Sequence, residues 1–271
     1  MRRISLTTAK RFLPKYLYAL LVSPFLFTFG ILKKRNRFLI FQIAQHFGMK
    51  MPATDLRLPV APISSVLGQH IDLNLLGSLG DPGNVSLLEL MVIANLARAA
   101  TPPIAFEIGT FNGRTALNLA ANLPPKGKVF TLDLPQSQLG ETKFALAPQE
   151  DAFVEKPASG AKFAGTTFAD KITQLYGDSG TFDFSAYEGQ MGLVFVDGSH
   201  AYDYVRQDTA TALRLAAETG IILWHDYQQD WPDVIRALNE LANSDPVLAG
   251  LKRIEGTTLV ILKRENARRP D

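Results

Sequence analysis

From residue 104 onward, the chain alternates short apolar runs with stretches whose apolar residues recur every three or four positions. Short runs bounded by Gly, Pro or Asp indicate buried strands, whereas the longer recurrence indicates amphipathic helices. The pattern predicts strands at 104–109, 128–134, 171–178, 193–198 and 220–226, helices behind the first, fourth and fifth of them, and a closing hairpin before residue 264. Strands that alternate with helices are typical of an α/β fold. We therefore predict a doubly wound, mostly parallel, seven-stranded sheet that ends in an antiparallel hairpin.

The segments before residue 104 divide the chain further. Ser86 and Glu89 have the spacing of a capping box, which predicts a helix that begins at residue 87. Residues 51–84 are rich in Pro and Gly and indicate an irregular linker. We therefore predict three parts: an arm (1–50), this linker (51–84) and a domain (85–271). Inside the domain, residues 135–170 form a long polar insertion, which is interpreted either as a functional lid or as a disordered loop.

The arm differs from the rest of the chain in charge. Residues 1–50 contain ten basic residues and no acidic residue, while the following residues carry 18 basic and 26 acidic side chains. An apolar run at 16–32 lies between the basic clusters. It is too short for an easy membrane span, and it contains Pro24, which we expect to break or kink a helix. Basic flanks around an apolar run rich in aromatic residues are typical of contact with a membrane surface.

The arm therefore predicts peripheral membrane contact through residues 1–50 and a cytoplasmic location. A true span and a helical cap over the domain's own pocket remain open as alternatives. Nucleic acid is not a predicted partner, because the aromatic residues of the arm stand apart from its charges. A secretory signal is disfavoured because basic residues follow the apolar run where a cleavage site would lie. The chain has no Cys, which excludes disulfides, thiolate nucleophiles and Cys-ligated metals. The oligomeric state stays open.

Polar residues at the ends of the first three predicted strands suit a nucleoside-like ligand. Gly109 and Gly113 allow a tight turn and a close approach of ligand to backbone. Glu107 precedes this turn, and its charge suits a cationic group. Asp133 ends the second strand, where a carboxylate binds both hydroxyls of a ribose. The third strand ends in two residues that can hydrogen-bond an exocyclic amine, Asp178 and Ser179. The turn lacks the glycine pattern of dinucleotide-binding proteins and the Lys of a phosphate-binding loop.

The ends of the fourth and fifth strands carry acids and histidines. Because neighbouring parallel strands end at one edge of a sheet, we expect Asp197 and Asp226 to lie close together. Two carboxylates suit a hard divalent cation such as Mg²⁺, and the adjacent His225 favours a softer ion such as Mn²⁺. The alternative is that Asp197 caps the next helix or binds the ammonium group of a ligand. His200, with an ordinary pKa of about 6.5, could remove a hydroxyl proton at neutral pH; otherwise it only hydrogen-bonds its own loop.

With these motifs, the sequence resembles the class I S-adenosylmethionine-dependent methyltransferases, which have a Rossmann-like sheet. It is most similar to methyltransferase family 24, with kinship to catechol-type and macrolide-sugar O-methyltransferases. The resemblance covers about residues 104–263 and leaves the arm and linker outside. The segments that carry it are FEIGTFNGRTALNLA, TLDLP, LYGDS, LVFVDGSHAYDYVRQDTATALRL and GIILWHDY.

The resemblance implies roles for these residues around S-adenosylmethionine. It implies that Asp133 binds the ribose and that Asp178 and Ser179 bind the adenine. The methionine moiety is expected at the turn after the first strand, with the candidate residues Glu107, Gly109, Thr110, Gly113 and Thr115. In catechol-type relatives the ends of the last two strands hold a metal ion, which implies Asp197, His225 and Asp226 here. Two departures from the relatives concern this site. Tyr227 stands where catechol-type enzymes have Asn, and His225 stands where macrolide-sugar enzymes have an acid.

These observations predict an enzyme that transfers a methyl group to a hydroxyl of a small molecule or glycan. His200 would act as the base, at the position where catechol-type enzymes have Lys, and Asp197 would assist it. The predicted cofactors are S-adenosylmethionine and a divalent ion, Mg²⁺ or Mn²⁺. Two alternatives remain open. One is a hydroxylase or oxidoreductase relative on the same fold, and the other is a membrane-tethered binding module without catalysis.

Overall fold

The structure, a computed structural model, describes residues 6–33, 36, 40, 43, 54–68, 72–77, 83–147, 150–156 and 158–264. The chain divides into two compact units, Met1–Ala53 and Thr54–Asp271. Much of the predicted arm after residue 33 lies outside the described residues. The predicted boundaries at residues 50 and 84 stay predictions.

The first unit contains helix α1 (Leu6–Phe27), followed by a 3₁₀ turn at Phe29–Leu32. The helix continues through Pro24 to Phe27, so the predicted break at this proline does not occur. Proline lacks a backbone N–H and removes one helical hydrogen bond. Two hydroxyl groups supply hydrogen bonds on either side of it: Ser23 Oγ donates to the carbonyl of Ala19, and Thr28 Oγ1 donates to the carbonyl of Pro24, both at 2.6 Å.

The second unit alternates strands and helices. Its helices are α2 (Ile63–Val66), α3 (Leu87–Ala99), α4 (Arg114–Asn122), α5 (Asp151–Val154), α6 (Tyr202–Leu215) and α7 (Pro232–Ser244). Its strands are β1 (Val60–Ala61), β2 (Ile104–Ile108), β3 (Lys128–Asp133), β4 (Ile172–Tyr176), β5 (Met191–Val196), β6 (Ala216–Trp224), β7 (Lys252–Ile254) and β8 (Val260–Lys263). The predicted capping box is present, because Ser86 accepts the backbone N–H of Glu89 while the Glu89 side chain accepts that of Ser86.

Within the described residues, the strands form one sheet in the order β1-β7-β8-β6-β5-β2-β3-β4. The pairs from β6 through β4 are parallel, and β8 runs antiparallel to both β6 and β7. The predicted fold class is therefore confirmed: a doubly wound, mostly parallel α/β sheet with a closing antiparallel hairpin. Parallel sheets of this kind are covered by helices on both faces, so their central strands read as continuous apolar runs. Every residue of β5 is buried.

The sheet has eight described strands rather than the predicted seven. The additional strand, β1, comes from the segment read as an irregular linker, and it pairs in parallel with β7. Hydrogen bonds from Arg253 N to the Pro59 carbonyl and from Glu255 N to the Ala61 carbonyl lie at the two ends of this pairing. Two residues between prolines give no periodic signal, so the backbone pairing alone reveals this strand.

Two apolar clusters lie on opposite faces of the sheet. Alternate side chains of β5 divide between them: Val194 and Val196 face one cluster, and Leu193 and Phe195 face the other. Residues of α6 and α7 belong to the first cluster, and residues of α3 and α4 to the second. This packing fixes the strands from both sides, so the loops at their carboxyl ends start from a rigid edge.

Candidate active site

The carboxyl ends of β2, β3, β5 and β6 open onto one cavity of about 690 Å³. In doubly wound sheets, ligands bind at this edge. Each of the four strand ends contributes to the wall through one or more residues, among them Gly109, Asp133, Asp197 and Asp226. The long insertion contributes another part of the wall, including Glu150, Phe153 and Lys156. The insertion therefore lies at the site, as the lid interpretation requires.

The predicted metal ligands come together at one end of the cavity. Asp197, His225 and Asp226 each offer one ligand atom, and these atoms lie within 4.8 Å of one another. His225 Nδ1 is 3.0 Å from Asp197 Oδ1 and 3.2 Å from Asp226 Oδ2. Asp226 has a left-handed backbone with φ of 61°, a conformation that costs energy outside glycine and is common at functional sites. Two carboxylates and one imidazole form a donor set that suits Mn²⁺, and to a lesser degree Mg²⁺.

The charges in this cluster support one another. Burial disfavours the charged ring of His225, yet the attraction of Asp197 and the hydrogen bonds to Asp197, Asp226 and Glu89 hold its pKa well above the ordinary value. Burial also disfavours ionised Asp226, but its hydrogen bonds to His200 and His225 lower the pKa of this carboxyl group. The charged forms of the acids and of the histidines thus stabilise one another. A divalent cation would take over this role from the ring protons.

His200 lies between two carboxylates. Its Nε2 is 2.7 Å from Asp226 Oδ2, and its Nδ1 is 2.6 Å from Glu150 Oε1. The ring stacks on the indole of Trp231, with centroids 3.7 Å apart and planes inclined by 10°. Burial opposes the charge on the ring, but the hydrogen bonds to Asp226 and Glu150 outweigh it and raise the pKa of His200 to about 9. The two carboxylates therefore hold the pKa of His200 above its ordinary value of about 6.5.

The sequence pattern does not identify two acids of this site as functional. For Glu89, the pattern predicts only the cap of a helix. It does cap α3, and its Oε2 also lies 3.4 Å from His225 Nε2. Its Oε1 accepts hydrogen bonds from the backbone and hydroxyl of Thr258, both at 2.8 Å. Glu150 lies in the insertion, where neither spacing nor periodicity marks a residue as functional.

The glycine turn after β2 is built by close backbone approaches. Gly109 has φ of 99°, and a Cβ atom there would lie 2.0 Å from the carbonyl oxygen of Asp197. Gly113 has φ of 84°, and a Cβ atom there would lie 2.7 Å from the Cα of Gly160. Only glycine fits either position. The insertion covers this turn, because Gly160 N donates to the Phe111 carbonyl and Lys162 N donates to the Asn112 carbonyl.

The eight candidate cofactor residues fall into two groups. Four of them line the cavity: Gly109, Asp133, Asp178 and Ser179. The other four are not among its lining residues: Glu107, Thr110, Gly113 and Thr115. Glu107 is 1% exposed; Thr131 Oγ1 donates to its Oε2, and its Oε1 has no hydrogen-bond partner within the described part of the chain. Burial raises the pKa of this carboxyl group well above the ordinary value. Its predicted contact with the methionine moiety stays a proposal.

Asp133, the predicted ribose ligand, is held by two residues of the insertion. Lys156 Nζ lies 2.6 Å from Asp133 Oδ2, and the Ser159 hydroxyl donates to the same oxygen. The side chains of Lys156 and Asp133 are each 9% exposed. A ribose that binds to Asp133 therefore has to share or replace these contacts.

Asp178, one of the two predicted adenine ligands, organises its own turn. Its Oδ1 accepts hydrogen bonds from Gly180 N at 2.9 Å and from the Tyr204 hydroxyl at 2.7 Å. Its Oδ2 accepts the backbone N–H of Lys143 at 2.8 Å. These bonds fix the carboxylate at the wall of the cavity, with Ser179 beside it.

Asp208 on α6 is fully buried. Neither carboxyl oxygen has a well-aligned hydrogen bond within the described residues, and Ser179 approaches without forming one. Burial raises the pKa of Asp208 to about 7; the charges of Asp178 and Glu150 raise it too, and Ser179 opposes them. The residue lies on the inward face of the helix together with Tyr204 and Val205. Its burial therefore follows from helical periodicity.

We expect Asp208→Asn to stabilise the protein at pH 8. Burial raises the pKa of Asp208 from 3.8 to about 7, so the ionised carboxylate destabilises the folded protein. This destabilisation is absent below the pKa of the unfolded chain, and it grows as pH increases until pH passes the pKa of the folded protein. At about 1.4 kcal/mol per pKa unit, the gain at pH 8 should be about 2–4 kcal/mol in the free energy of unfolding. Urea unfolding at pH 4 and pH 8 measures it. Asp203→Asn, an exposed site on the same helix, is the matched control. A gain equal at both pH values would contradict the prediction.

Comparison with known proteins finds one family model that covers both strand ends of this site. Residues 106–227 match the family model Methyltransf_24, described as a methyltransferase domain. The match includes both strand ends that carry the acid–histidine cluster, and it confirms the resemblance found in the sequence. No curated protein matches the chain.

Solved structures are similar in fold. A protein from Corynebacterium glutamicum is 14% identical with a TM-score of 0.50, and the match covers 69% of this chain and 85% of that one. The O-methyltransferase TomG from Streptomyces achromogenes, involved in tomaymycin synthesis and solved with SAM, is 20% identical with a TM-score of 0.47, over 67% of this chain and 82% of that one. An O-methyltransferase from Bacillus cereus in complex with SAH is 17% identical with a TM-score of 0.47, over 68% and 84%.

Proposed function

We propose that this chain, whose residues 106–227 match a methyltransferase-domain model, is an S-adenosylmethionine-dependent methyltransferase that methylates a hydroxyl group of a small molecule or glycan. One observation carries the proposal. A single cavity has the candidate ribose acid, Asp133, on the wall formed by β3 and the histidine–acid cluster on the wall formed by β5 and β6. A methyl donor and a hydroxyl acceptor would therefore meet between them.

At the donor end, the chain's residues bind and orient the cofactor. Asp133 would accept hydrogen bonds from the ribose hydroxyls, while Asp178 and Ser179 would contact the adenine. The glycine turn would allow the methionine part to approach the backbone, near Glu107, Thr110, Gly113 and Thr115. Holding the sulfonium methyl in line with the acceptor oxygen supplies much of the acceleration in such reactions.

At the acceptor end, His200 would act as the base. Its Nε2 now faces Asp226, and the acceptor hydroxyl would take that place. His200 Nε2 removes the hydroxyl proton, the oxygen forms a bond to the methyl carbon, and the bond between that carbon and sulfur breaks. The electron pair stays on sulfur, so the products are the methyl ether and S-adenosylhomocysteine. A divalent cation bound by Asp197, His225 and Asp226 would lower the hydroxyl pKa and orient the oxygen.

The complete set of Asp197, His200 and Asp226 supports catalysis over the alternative of a binding module without activity. The hydroxylase or oxidoreductase alternative shares the fold and predicts a different product.

Incubation with methyl-labelled S-adenosylmethionine and a panel of phenols, catechols and glycosides distinguishes the proposed methyltransferase from the hydroxylase or oxidoreductase. Transfer of label to an acceptor hydroxyl supports the proposal, and turnover of the panel without label transfer supports the alternative.

Asp133→Asn tests the donor end. We expect it to weaken S-adenosylmethionine binding by about 1.5–3 kcal/mol, which is typical of hydrogen bonds to a charged group. Calorimetry on the parent and the variant measures the difference. The matched control is Asp170→Asn, an exposed acid ahead of β4, which should bind like the parent. Unchanged affinity in Asp133→Asn would show that the ribose lies elsewhere.

We also propose that the arm contacts an anionic membrane surface. Eleven large apolar side chains between Leu13 and Leu32 are 46–77% exposed, and ten basic residues with no acid occupy positions 1–50. Apolar burial combined with attraction to anionic lipid is the usual basis of interfacial binding. Among the described residues, no helix has the length and apolarity needed to cross a bilayer.

Vesicle sedimentation tests the arm. The full-length protein should pellet with vesicles rich in phosphatidylserine and much less with phosphatidylcholine alone, and high salt should release it, because screening weakens the attraction. Leu21→Glu, at a side chain that is 77% exposed, should reduce pelleting. Val247→Glu, at an exposed apolar residue of the other unit, is the control. Full recovery in the supernatant, or resistance to both salt and alkaline extraction, would contradict surface binding.

A further inference from the structure

The carboxylate of Glu150 joins the long insertion to the end of β5. It is 5% exposed, and both of its oxygens are engaged. Oε2 accepts the hydroxyl of Ser199 at 2.6 Å and the backbone N–H of Ala147 at 2.8 Å. Oε1 accepts the backbone N–H of His200 and lies 2.6 Å from His200 Nδ1. One oxygen thus fixes the loop, and the other fixes the histidine.

These contacts determine which ring nitrogen of His200 reaches the cavity. A carboxylate only accepts hydrogen bonds, so Nδ1 must carry a proton in the contact with Glu150. Nε2 is then the nitrogen directed to Asp226 and the cavity. The stacked indole of Trp231 restrains the plane of the ring. A flip of the imidazole would place Cδ2 and Cε1 where Nδ1 and Nε2 now lie, and the contacts with Glu150 and Asp226 would both be lost.

We propose that Glu150 is a positioning residue, which keeps the proton on Nδ1 of His200 and directs Nε2 to the acceptor hydroxyl. The inference rests on the proposed role of His200 as the base. Partners that fix the tautomer and direction of a functional histidine are a recurring device in proteins. Here the partner comes from the insertion, so the base is in place only when the insertion is folded over the cavity.

The hydrogen bond itself can be observed by NMR of the full-length protein. An Nδ1–H donated to a buried carboxylate gives a strongly downfield proton resonance, and His200→Gln identifies it. In Glu150→Ala this resonance should disappear, and in Glu150→Gln it should move upfield, because an amide oxygen is a weaker acceptor. Glu155→Gln, at an exposed acid of the same insertion, should leave it unchanged. A His200 resonance identical in the parent and in Glu150→Ala would overturn the proposal.

Kinetics with the best acceptor of the panel separate positioning from a structural role. In Glu150→Ala, kcat should fall about 10–100-fold, since small misplacements of a base have effects of this size. The affinity for S-adenosylhomocysteine should stay within about twofold, Glu150→Gln should recover most of kcat, and Glu155→Gln should equal the parent. A parental kcat in Glu150→Ala, or an equal loss of cofactor affinity, would refute positioning. A parent that binds no cofactor would refute the proposed function instead, and the NMR result would still report on the contact.

Discussion

His200→Ala should lower kcat about 10²–10⁴-fold, the usual contribution of a general acid or base. The affinity for S-adenosylmethionine should change little, because the ring contacts Asp226, Glu150 and Trp231 rather than the candidate cofactor residues. The loss should therefore appear in kcat and not in the dissociation constant of the cofactor. Methyl transfer under saturating donor, together with calorimetry, measures both quantities.

The raised pKa of His200 imposes a condition on this role. With its pKa raised to about 9, His200 holds a proton that it has to release before it can accept another. We expect kcat/KM, which reports on the free enzyme, to increase with pH up to this range in the parent. His200→Ala should lose that dependence. His200→Gln serves as a control for the lost volume beneath Trp231. A variant that keeps parental turnover, or the full pH dependence, would show that another group is the base.

The strands and the acid–histidine cluster could be predicted from the sequence for one physical reason. Continuous apolar runs mark strands that are buried on both faces, and residues directly after such runs must lie at one edge of the sheet. Asp197, His225 and Asp226 follow two neighbouring strands, so their meeting at this edge followed from topology. The spacing of the glycines at 109 and 113 predicts a tight turn, and the turn formed there leaves no room for a Cβ atom at either position.

The remaining parts of the site depend on tertiary contacts that have no local pattern. Glu150 and Lys156 lie in a polar insertion, and only its folded path brings them to His200 and Asp133. The raised pKa of His200 has the same origin, because it requires both neighbouring carboxylates. Strand β1 was missed because two residues are too few for periodicity. The burial of Asp208, in contrast, is predictable from the sequence, because the residue lies in the apolar stripe of α6.

Removal of divalent ions should reduce methyl transfer to background if the acid–histidine cluster holds a metal. Two carboxylates and His225 offer ligand atoms that lie within 4.8 Å of one another. After treatment with excess chelator, Mn²⁺ or Mg²⁺ should restore turnover, and the imidazole ligand should favour Mn²⁺. Binding should also release protons, because His225 has to be neutral to act as a ligand.

Direct binding of Mn²⁺ provides a readout that does not depend on the acceptor. Calorimetry or electron paramagnetic resonance on the chelator-treated protein should detect one site, and Asp226→Asn should weaken it strongly because it removes a charged ligand. Asp170→Asn, which changes an exposed acid far along the chain from the cluster, should bind Mn²⁺ like the parent. If the chelated parent retains full activity and binds no Mn²⁺, then Asp197 and Asp226 serve only to orient the two histidines and the acceptor.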